Sequence, residues 1–250
     1  MDIKIQNIKY KTLMLITLVA SLLSCDTEIK LSFDLTDGRP YNLFDYYEDQ
    51  YGNQGIVIAV AHRTYSDRPN EKELAYIIVM SLDESYELWG PVKQQIYRKD
   101  SISTSILNQP AYGVAILQTM CAIGIDSFPA QAWCHRKNQQ EIYPHAGSWR
   151  LPSANEIYLF SQKSSTHLLA LNKQIIRYRG VPLKSDEMYW TCTEDYENYI
   201  NFDSSEVDYN ASDRAIACTP EYTALGGKKY WNKSEKHYVR AIKYIYYKCP

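Results

Sequence analysis

The chain has 250 residues, of which 45% are hydrophobic and 22% are charged, a balance typical of a globular protein of one or two domains. Its formal net charge of -2, without a run of five or more basic residues, excludes the electrostatic signature of a nucleic-acid-binding protein. Tyrosine is unusually frequent, with 23 residues, and it suits half-buried sheet surfaces and recognition patches.

The N-terminus is predicted to be a secretion signal outside the folded domain. Lysines precede the apolar stretch TLMLITLVASLL, which is too short to cross a bilayer comfortably. The stretch ends in LLSC, which resembles the site at which bacterial lipoproteins are acylated on cysteine. We predict a signal peptide at 1–24, lipidation of Cys25 and a tether at 25–40. The protein would then be anchored in the bacterial cell envelope, on the periplasmic or surface face of the outer membrane. An ordinary secretory signal followed by an incidental cysteine is the alternative.

Export also permits disulfides among the remaining cysteines. These are Cys121, Cys134, Cys192, Cys218 and Cys249. Five is an odd number, so at least one stays free or pairs with another molecule. The chain has no Cys-x-x-Cys motif, and its one adjacent cysteine and histidine are Cys134 and His135, so we predict no zinc site.

Two apolar runs lie near the start of the predicted domain, which spans 41–250. GIVIAVAH at 55–62 and LAYIIVMS at 74–81 carry apolar residues on both alternating faces, which predicts strands buried on both sides. The polar segment between them contains Pro69 and Asn70, so we expect a hairpin-like connection.

The middle of the chain is predicted to be helical. PAYGVAILQTMCAIG opens on Pro110, which suits a first helical turn, and SFPAQAWCHRK predicts a second short helix with Ser127 near its cap. THLLALNKQIIRYRG predicts a third helix that ends before Gly180. The expected buried stripe of this third helix consists of Leu168, Leu171, Ile175 and Ile176.

Between these helices, SWRLPSANEIYLF at 148–160 predicts a strand-to-helix junction. Pro152 disfavours the α conformation for Leu151, so the residues before it should be extended. Ser153 and Glu156 have the spacing of a capping box, in which each side chain bonds the backbone amide of the other residue. The motif is therefore useful for identifying a fold, and none of its residues needs a catalytic or ligand-binding role.

The tail after Trp190 is rich in Tyr, Asn, Ser, Thr and Asp, interrupted by short apolar runs. This composition predicts strands joined by substantial loops. HYVRAIKYIYY at 237–247 is predicted to be the final strand.

Several of these segments, in this order, resemble a known family. They are YNLFDYYEDQYGNQGIVIAV, ELWG, FPAQAWC, SWRLPSANEIYLF, GVPLKSDEMYWTCTE and HYVRAIK, and together they resemble the bacterial lectin-like domains of the major-paralogous-domain type. Those domains are related to the sulfatase-modifying-factor fold and are common on lipoproteins. The match covers 41–250 and departs from the family pattern at Ser148, where glycine is usual, and at Cys192, where serine is common. The resemblance implies an α+β, C-type-lectin-like fold, with antiparallel sheets, flanking helices and long C-terminal loops.

The same resemblance implies two disulfides. Cys192 would pair with Cys218, and Cys249 would pair with Cys134 or Cys121. Closing the first of these loops would stabilise the fold by about 3 kcal/mol in the chain-entropy model.

The function implied by this fold is ligand binding. We predict that the C-terminal loops bind a glycan or a protein, because tyrosine offers a large contact area for few lost rotamers and aromatic faces stack on sugars. The candidate ligand-binding residues are Tyr196, Tyr199, Asn201, Tyr209, Tyr222 and Trp231. Packing between sheet and loops is the alternative role for each of them.

Calcium-dependent sugar binding and catalysis are not predicted. A lectin-type calcium site needs Glu-Pro-Asn or Gln-Pro-Asp together with Trp-Asn-Asp, whereas Trp231 and Asn232 are followed here by Lys233, a cation in place of the third ligand. The histidines are scattered, and a structural disulfide is a simpler role for Cys192 and Cys218 than a reactive pair. We therefore expect no catalytic residue, no metal and no cofactor.

Two other non-catalytic functions stay open. The protein could be a structural component of a fimbria or of cell-envelope assembly. It could also be a receptor diversified by a retroelement, since such systems favour the lectin-like fold and vary Tyr, Asn, Ser and Asp codons near the C-terminus. A neighbouring reverse-transcriptase gene and a near-copy of the tail sequence would mark the second case.

Overall fold

Two β-sheets and four α-helices organise the residues that the computed structural model describes. These residues are 41–63, 74–94, 96, 109–139, 144–145, 147–162, 164–195, 213–221 and 228–248. They belong to one unit of the chain, Arg39–Pro250. The architecture is α+β, as predicted, with both sheets built mainly from antiparallel pairs.

Sheet A has four antiparallel strands. In their order across the sheet they are β1 (Tyr46–Glu48), β2 (Gln54–Arg63), β3 (Leu74–Ser81) and β9 (Ile242–Lys248). The two predicted apolar runs form β2 and β3, which pair with each other around a bulge between Val57 and Ala59. Ile56, Val57 and Ile58 are consecutive and fully buried, so the prediction of strands buried on both faces is confirmed for β2.

Sheet B has five strands, four of which come from the tail of the chain. In their order across the sheet they are β4 (Ser85–Leu88), β8 (Lys236–Val239), β5 (Tyr189–Glu194), β6 (Arg214–Cys218) and β7 (Lys228–Asn232). All neighbours are antiparallel except β5 and β8, which run parallel and meet at Tyr189 and Tyr238.

The predicted final strand is divided between the two sheets. HYVRAIKYIYY forms β8 in sheet B and then β9 in sheet A, with the break at Arg240 and Ala241. Arg240 is fully buried, and its guanidinium donates to the carbonyls of Ser81 and Leu82 and to the carboxylate of Glu84. The single-strand prediction is wrong because these bonds hold Arg240 between the sheets, where it cannot continue a ladder.

Two of the helices occur where the sequence predicts them. They are α1 (Gln109–Ile123) and α2 (Pro129–His135). Ser127 does not cap α2: it ends a 3-10 turn, and Phe128 occupies the N-cap position.

The remaining helices are α3 (Ala154–Ile157) and α4 (Ser165–Arg177). In α4, Leu168, Leu171 and Ile175 are buried as predicted, but Ile176 is 60% exposed. Consecutive helical residues point about 100° apart, so Ile176 cannot share the face of Ile175. The helix ends before Gly180, whose amide donates to the carbonyl of Ile175.

The predicted capping box starts α3. The Glu156 amide donates to Ser153 Oγ at 3.3 Å, and the Ser153 amide donates to Glu156 Oε2 at 2.7 Å. The extended residues before it form an antiparallel bridge between Arg150 and Ile242. The junction therefore joins α3 to sheet A, and the prediction of an extended-to-helix corner is confirmed.

A shared apolar core holds these elements together. Ile58 and Ile78 from sheet A, Leu171 from α4 and Tyr189 and Ile216 from sheet B belong to one buried cluster. Sheet B is thereby packed against sheet A.

Candidate functional site

A buried ion pair marks the end of sheet B from which the tail loops leave. Glu194 is the last residue of β5, and Lys233 is in the turn between β7 and β8. Lys233 Nζ lies 2.5 Å from Glu194 Oε1, and the two side chains are 0% and 4% exposed. Lys233 Nζ also donates to the carbonyl of Gln94, and it stands 4.7 Å from the centroid of the Trp89 ring. Burial lowers the pKa of Lys233, while Glu194 acts in the opposite direction.

A second set of polar contacts joins the two strands that flank segment 196–212. Arg214 Nε lies 2.8 Å from Asp195 Oδ2, and the Asp195 amide donates to the carbonyl of Arg214. The carboxylate of Asp213 accepts from the Lys93 amide at 2.6 Å, and its carbonyl accepts from the Lys233 amide. We call the ion pairs Glu194–Lys233 and Asp195–Arg214, together with these Asp213 contacts, the loop base.

Beside the loop base, three rings form an aromatic cluster that consists of Trp190, Trp231 and His237. The His237 ring meets Trp190 and Trp231 edge-on, with centroids 4.6 and 4.7 Å apart. Trp190 is fully buried and donates from Nε1 to the carbonyl of Glu87, whereas Trp231 and His237 are half-buried.

Two nitrogens of the aromatic cluster have no hydrogen-bond partner among the residues that the structure describes. They are Trp231 Nε1 and His237 Nε2, and both atoms are buried. An unsatisfied buried polar atom costs about 1–3 kcal/mol, and native proteins retain few of them. Burial also lowers the pKa of His237, so its imidazole is neutral at neutral pH. The aromatic cluster therefore combines two half-buried rings, Trp231 and His237, with an indole N–H and a ring nitrogen that are both buried.

The strand-to-helix junction contains a separate and fully buried charge network. Arg150 donates to Glu156 through Nη1 at 2.8 Å and Nη2 at 2.6 Å, and Tyr244 donates its hydroxyl to Glu156 at 2.6 Å. Burial alone would raise the pKa of Glu156, but Arg150 and the hydrogen bonds hold it below its usual range. Arg150, Glu156 and Tyr244 are all buried, so we assign this network a role in the scaffold.

The predicted disulfide between Cys192 and Cys218 does not form in the structure. Cys192 is a free, buried thiol, and burial raises its pKa to about 12. Thr191 Oγ1 donates to the carbonyl of Ile216, so this part of β5 lies beside Ile216, two residues from Cys218. Two residues along a strand and one strand spacing place the Cα atoms about 8 Å apart, beyond the usual reach of a disulfide of roughly 4.4–6.8 Å.

The second predicted disulfide involves Cys249, which lies outside the described residues. Its two candidate partners, Cys134 and Cys121, form no disulfide with another described cysteine. Cys134 is fully buried in α2, where it packs as a small apolar residue.

Of the predicted ligand-binding residues, Trp231 is described, and it belongs to the aromatic cluster. Tyr196, Tyr199, Asn201, Tyr209 and Tyr222 lie outside the described residues, as does the predicted lipidation site Cys25. Within the described ranges, no three His, Cys, Asp or Glu side chains are grouped so that they could hold a metal ion.

Sequence reasoning missed His237, Lys233 and Glu194 as members of the site. The signal that was available is the alternation in KKYWNKSEKHYV, which places Trp231 and Lys233 on the same face of β7 and its extension. Their partner Glu194 could not be found this way, because only the folded sheet brings it beside Lys233.

An open apolar pocket of about 350 Å³ lies on sheet A, away from the loop base. It is lined by Leu43, Ala59, Val60, Tyr76, Ile78, Leu159 and Gln162. Ala59 and Val60 are neighbours in β2 and point to opposite faces, so the pocket lies along the edge of this strand. Among the described strands, β1 covers β2 only at Gln54–Ile56 on this side.

In comparisons with known proteins, no protein-family model matches the chain, and no curated protein matches it. Within the part of the chain that the structure describes, no helix combines the length and apolarity needed to cross a membrane.

Proposed function

We propose that this protein is an exported, lipid-anchored receptor whose lectin-like domain binds a glycan or a protein through its C-terminal loops. The anchor would be Cys25, and the domain would be a C-type-lectin-like domain of the major-paralogous-domain type. The α+β architecture and the Trp-Arg-Leu-Pro corner of Trp149–Pro152 support this proposal.

One observation supports the binding proposal: the two residues that adjoin segment 196–212 belong to the loop base, next to the aromatic cluster. Asp195 and Asp213, which adjoin the two ends of this segment, are held by polar contacts. In the neighbouring aromatic cluster, Trp231 Nε1 and His237 Nε2 have no partner among the described residues, so a ligand hydroxyl that reached them would satisfy two buried polar atoms. Rigid scaffolds that carry variable loops are the usual arrangement for recognition.

The test is capture of ligands on glycan and surface-protein arrays by the purified protein. We expect the variant with Tyr196, Tyr199 and Trp231 all changed to alanine to lose more than about 100-fold in affinity, because aromatic hot spots contribute about 2 kcal/mol or more each. The matched control changes Tyr51 and Tyr86 to alanine; both are exposed and lie outside the loops.

Folding of each variant is checked by its thermal unfolding curve. Because Trp231 packs against His237, a variant that changes only Tyr196 and Tyr199 separates lost binding from lost folding. Binding that survives in both loop variants would contradict the proposal.

Membrane anchoring is tested separately with Cys25→Ala. We expect this variant to leave the membrane fraction, whereas Cys121→Ala, which removes a different cysteine, should remain with membranes. A Cys25→Ala protein that still sediments with membranes would contradict anchoring at this residue.

An assembly role is the second candidate, and the pocket along the edge of β2 favours it. An apolar pocket beside an incompletely covered strand edge suits an added strand, whose backbone would pair with β2 while its side chains enter the pocket. Ala59→Lys should then abolish co-purification with an assembly partner and leave array binding intact.

A further inference from the structure

The Glu194–Lys233 pair unites two groups that can react with each other. It joins a primary amine and a carboxylate at hydrogen-bond distance, and both side chains are withdrawn from solvent. We propose that Lys233 and Glu194 condense into an intramolecular amide bond between Lys233 Nζ and Glu194 Cδ. This proposal does not depend on the proposed function.

Each of the other ion pairs among the described residues lacks the primary amine, the burial or the short distance of this pair. Arg150–Glu156, Arg240–Glu84 and Asp195–Arg214 each contain a guanidinium, which stays protonated and is not a nucleophile. Lys184 pairs with Glu84 at 3.0 Å but is 39% exposed. Lys137 pairs with Asp83, whose side chain is 58% exposed. Lys243 Nζ lies 3.8 Å from Asp49 Oδ2, which is too far for attack.

The surroundings of the pair favour the neutral forms that the reaction needs. Transfer of one proton along the hydrogen bond from Lys233 Nζ to Glu194 Oε1 gives an amine and a carboxylic acid, and a water-poor site favours the uncharged pair. Burial lowers the pKa of Lys233, which acts in the same direction. The carbonyl of Gln94 accepts from Nζ at 2.8 Å and so holds the amine in place.

Attack by the Nζ lone pair on Cδ then forms the C–N bond. The Ile96 amide donates to Glu194 Oε2 at 2.8 Å, so it would stabilise the negative charge that develops on this oxygen in the tetrahedral intermediate. Oε1 takes a second proton from Nζ and leaves as water, so the pair loses one water molecule and requires no oxidant or reductant. The Trp89 ring at 4.7 Å limits the return of water.

The bond would close the loop base covalently. It would tie the end of β5 to the turn between β7 and β8, which the structure otherwise joins by polar contacts. The end of β5 and the turn after β7 would then stay together even in the unfolded chain, and this restricts the unfolded ensemble as a disulfide does.

The experiment is tryptic digestion of the denatured full-length protein followed by mass spectrometry. An unmodified chain yields the linear peptide Tyr230–Lys233, because trypsin cuts after Lys229 and Lys233. We expect most chains to yield instead a branched peptide that joins Lys233 to Glu194 and is lighter than its two parts by one water molecule. The linear peptide as the main product would overturn the proposal.

Lys233→Arg is the matched control, because arginine keeps the positive charge beside Glu194 and cannot condense. We expect this variant to give no branched peptide, as does Glu194→Ala. Lys184 serves as the control within the same digest: its peptide should be linear, because that side chain is exposed although it also pairs with a glutamate. A branched peptide that persists in Lys233→Arg would show that the bond forms elsewhere and would also refute the assignment.

Discussion

Replacing Glu156 with glutamine tests whether the buried network at the strand-to-helix junction holds the scaffold together. The carboxylate accepts four hydrogen bonds: two from Arg150, one from the Ser153 amide and one from the Tyr244 hydroxyl. The amide of glutamine has one accepting oxygen and a donating NH2 group. Its NH2 group would therefore face the N–H and O–H donors that now bond the carboxylate. It also leaves the fully buried Arg150 charge without a counter-charge.

The magnitude follows from the loss of one partner of a buried ion pair, which costs about 3–5 kcal/mol. In a protein of this size each kcal/mol lowers the melting temperature by about 2–4 °C, so Glu156→Gln should lose roughly 6–20 °C. The assay is urea-induced unfolding, together with thermal melting. Glu187→Gln is the control, since Glu187 is exposed in a turn and should change stability by less than about 0.5 kcal/mol.

A double variant makes this reasoning refutable. Arg150→Met with Glu156→Gln removes the uncompensated charge, so the double variant should be less destabilised than the sum of the two single variants. Strict additivity, or a loss below about 1 kcal/mol for Glu156→Gln, would show that the network does not act as an ion pair in the folded state.

Three other substitutions test the scaffold and the aromatic cluster. Gly113→Ala should destabilise the protein by about 1–3 kcal/mol in urea unfolding, although alanine favours helices, because the new Cβ would lie 2.4 Å from Arg150 Cζ; a stabilised variant would contradict this packing. Ser153→Ala should cost about 1 kcal/mol through loss of the cap, whereas the exposed Ser185→Ala should be neutral in the same assay. Because burial depresses the folded-state pKa of His237, its contribution to stability is complete above the unfolded pKa of about 6.5 and is lost as pH falls below it toward the folded-state pKa. His237→Phe should therefore flatten the fall of melting temperature across this acidic range, and an unchanged slope would exclude His237 as its source.

Local chemistry was sufficient to predict much of the scaffold. Pro152, Ser153 and Glu156 define the corner through neighbours in sequence, and the apolar runs of β2 and β3 identify themselves by composition. These features depend on contacts within a few residues, and the structure confirms them.

Features that depend on distant partners were not predictable from the sequence. The division of the last strand at Arg240 depends on carbonyls of Ser81 and Leu82, far away in the chain. Likewise, the register of β5 and β6 decides that Cys192 lies too far from Cys218, and no spacing of cysteines in the sequence contains that register. The ion pair of Glu194 with Lys233 belongs to the same class.

The passage of the chain from β8 to β9 has a consequence for how the molecule reaches its native state. The last strands complete both sheets, since β8 pairs with β4 and β9 pairs with β3, and both pairings span most of the domain. Contacts this distant are slow to form, and until they do the apolar surface of β3 lacks its neighbour. A chain released from a ribosome or a translocation channel would therefore stay incomplete in both sheets until β8 and β9 emerge. Deletion of β9 alone should abolish folding, because β3 would lose this partner strand.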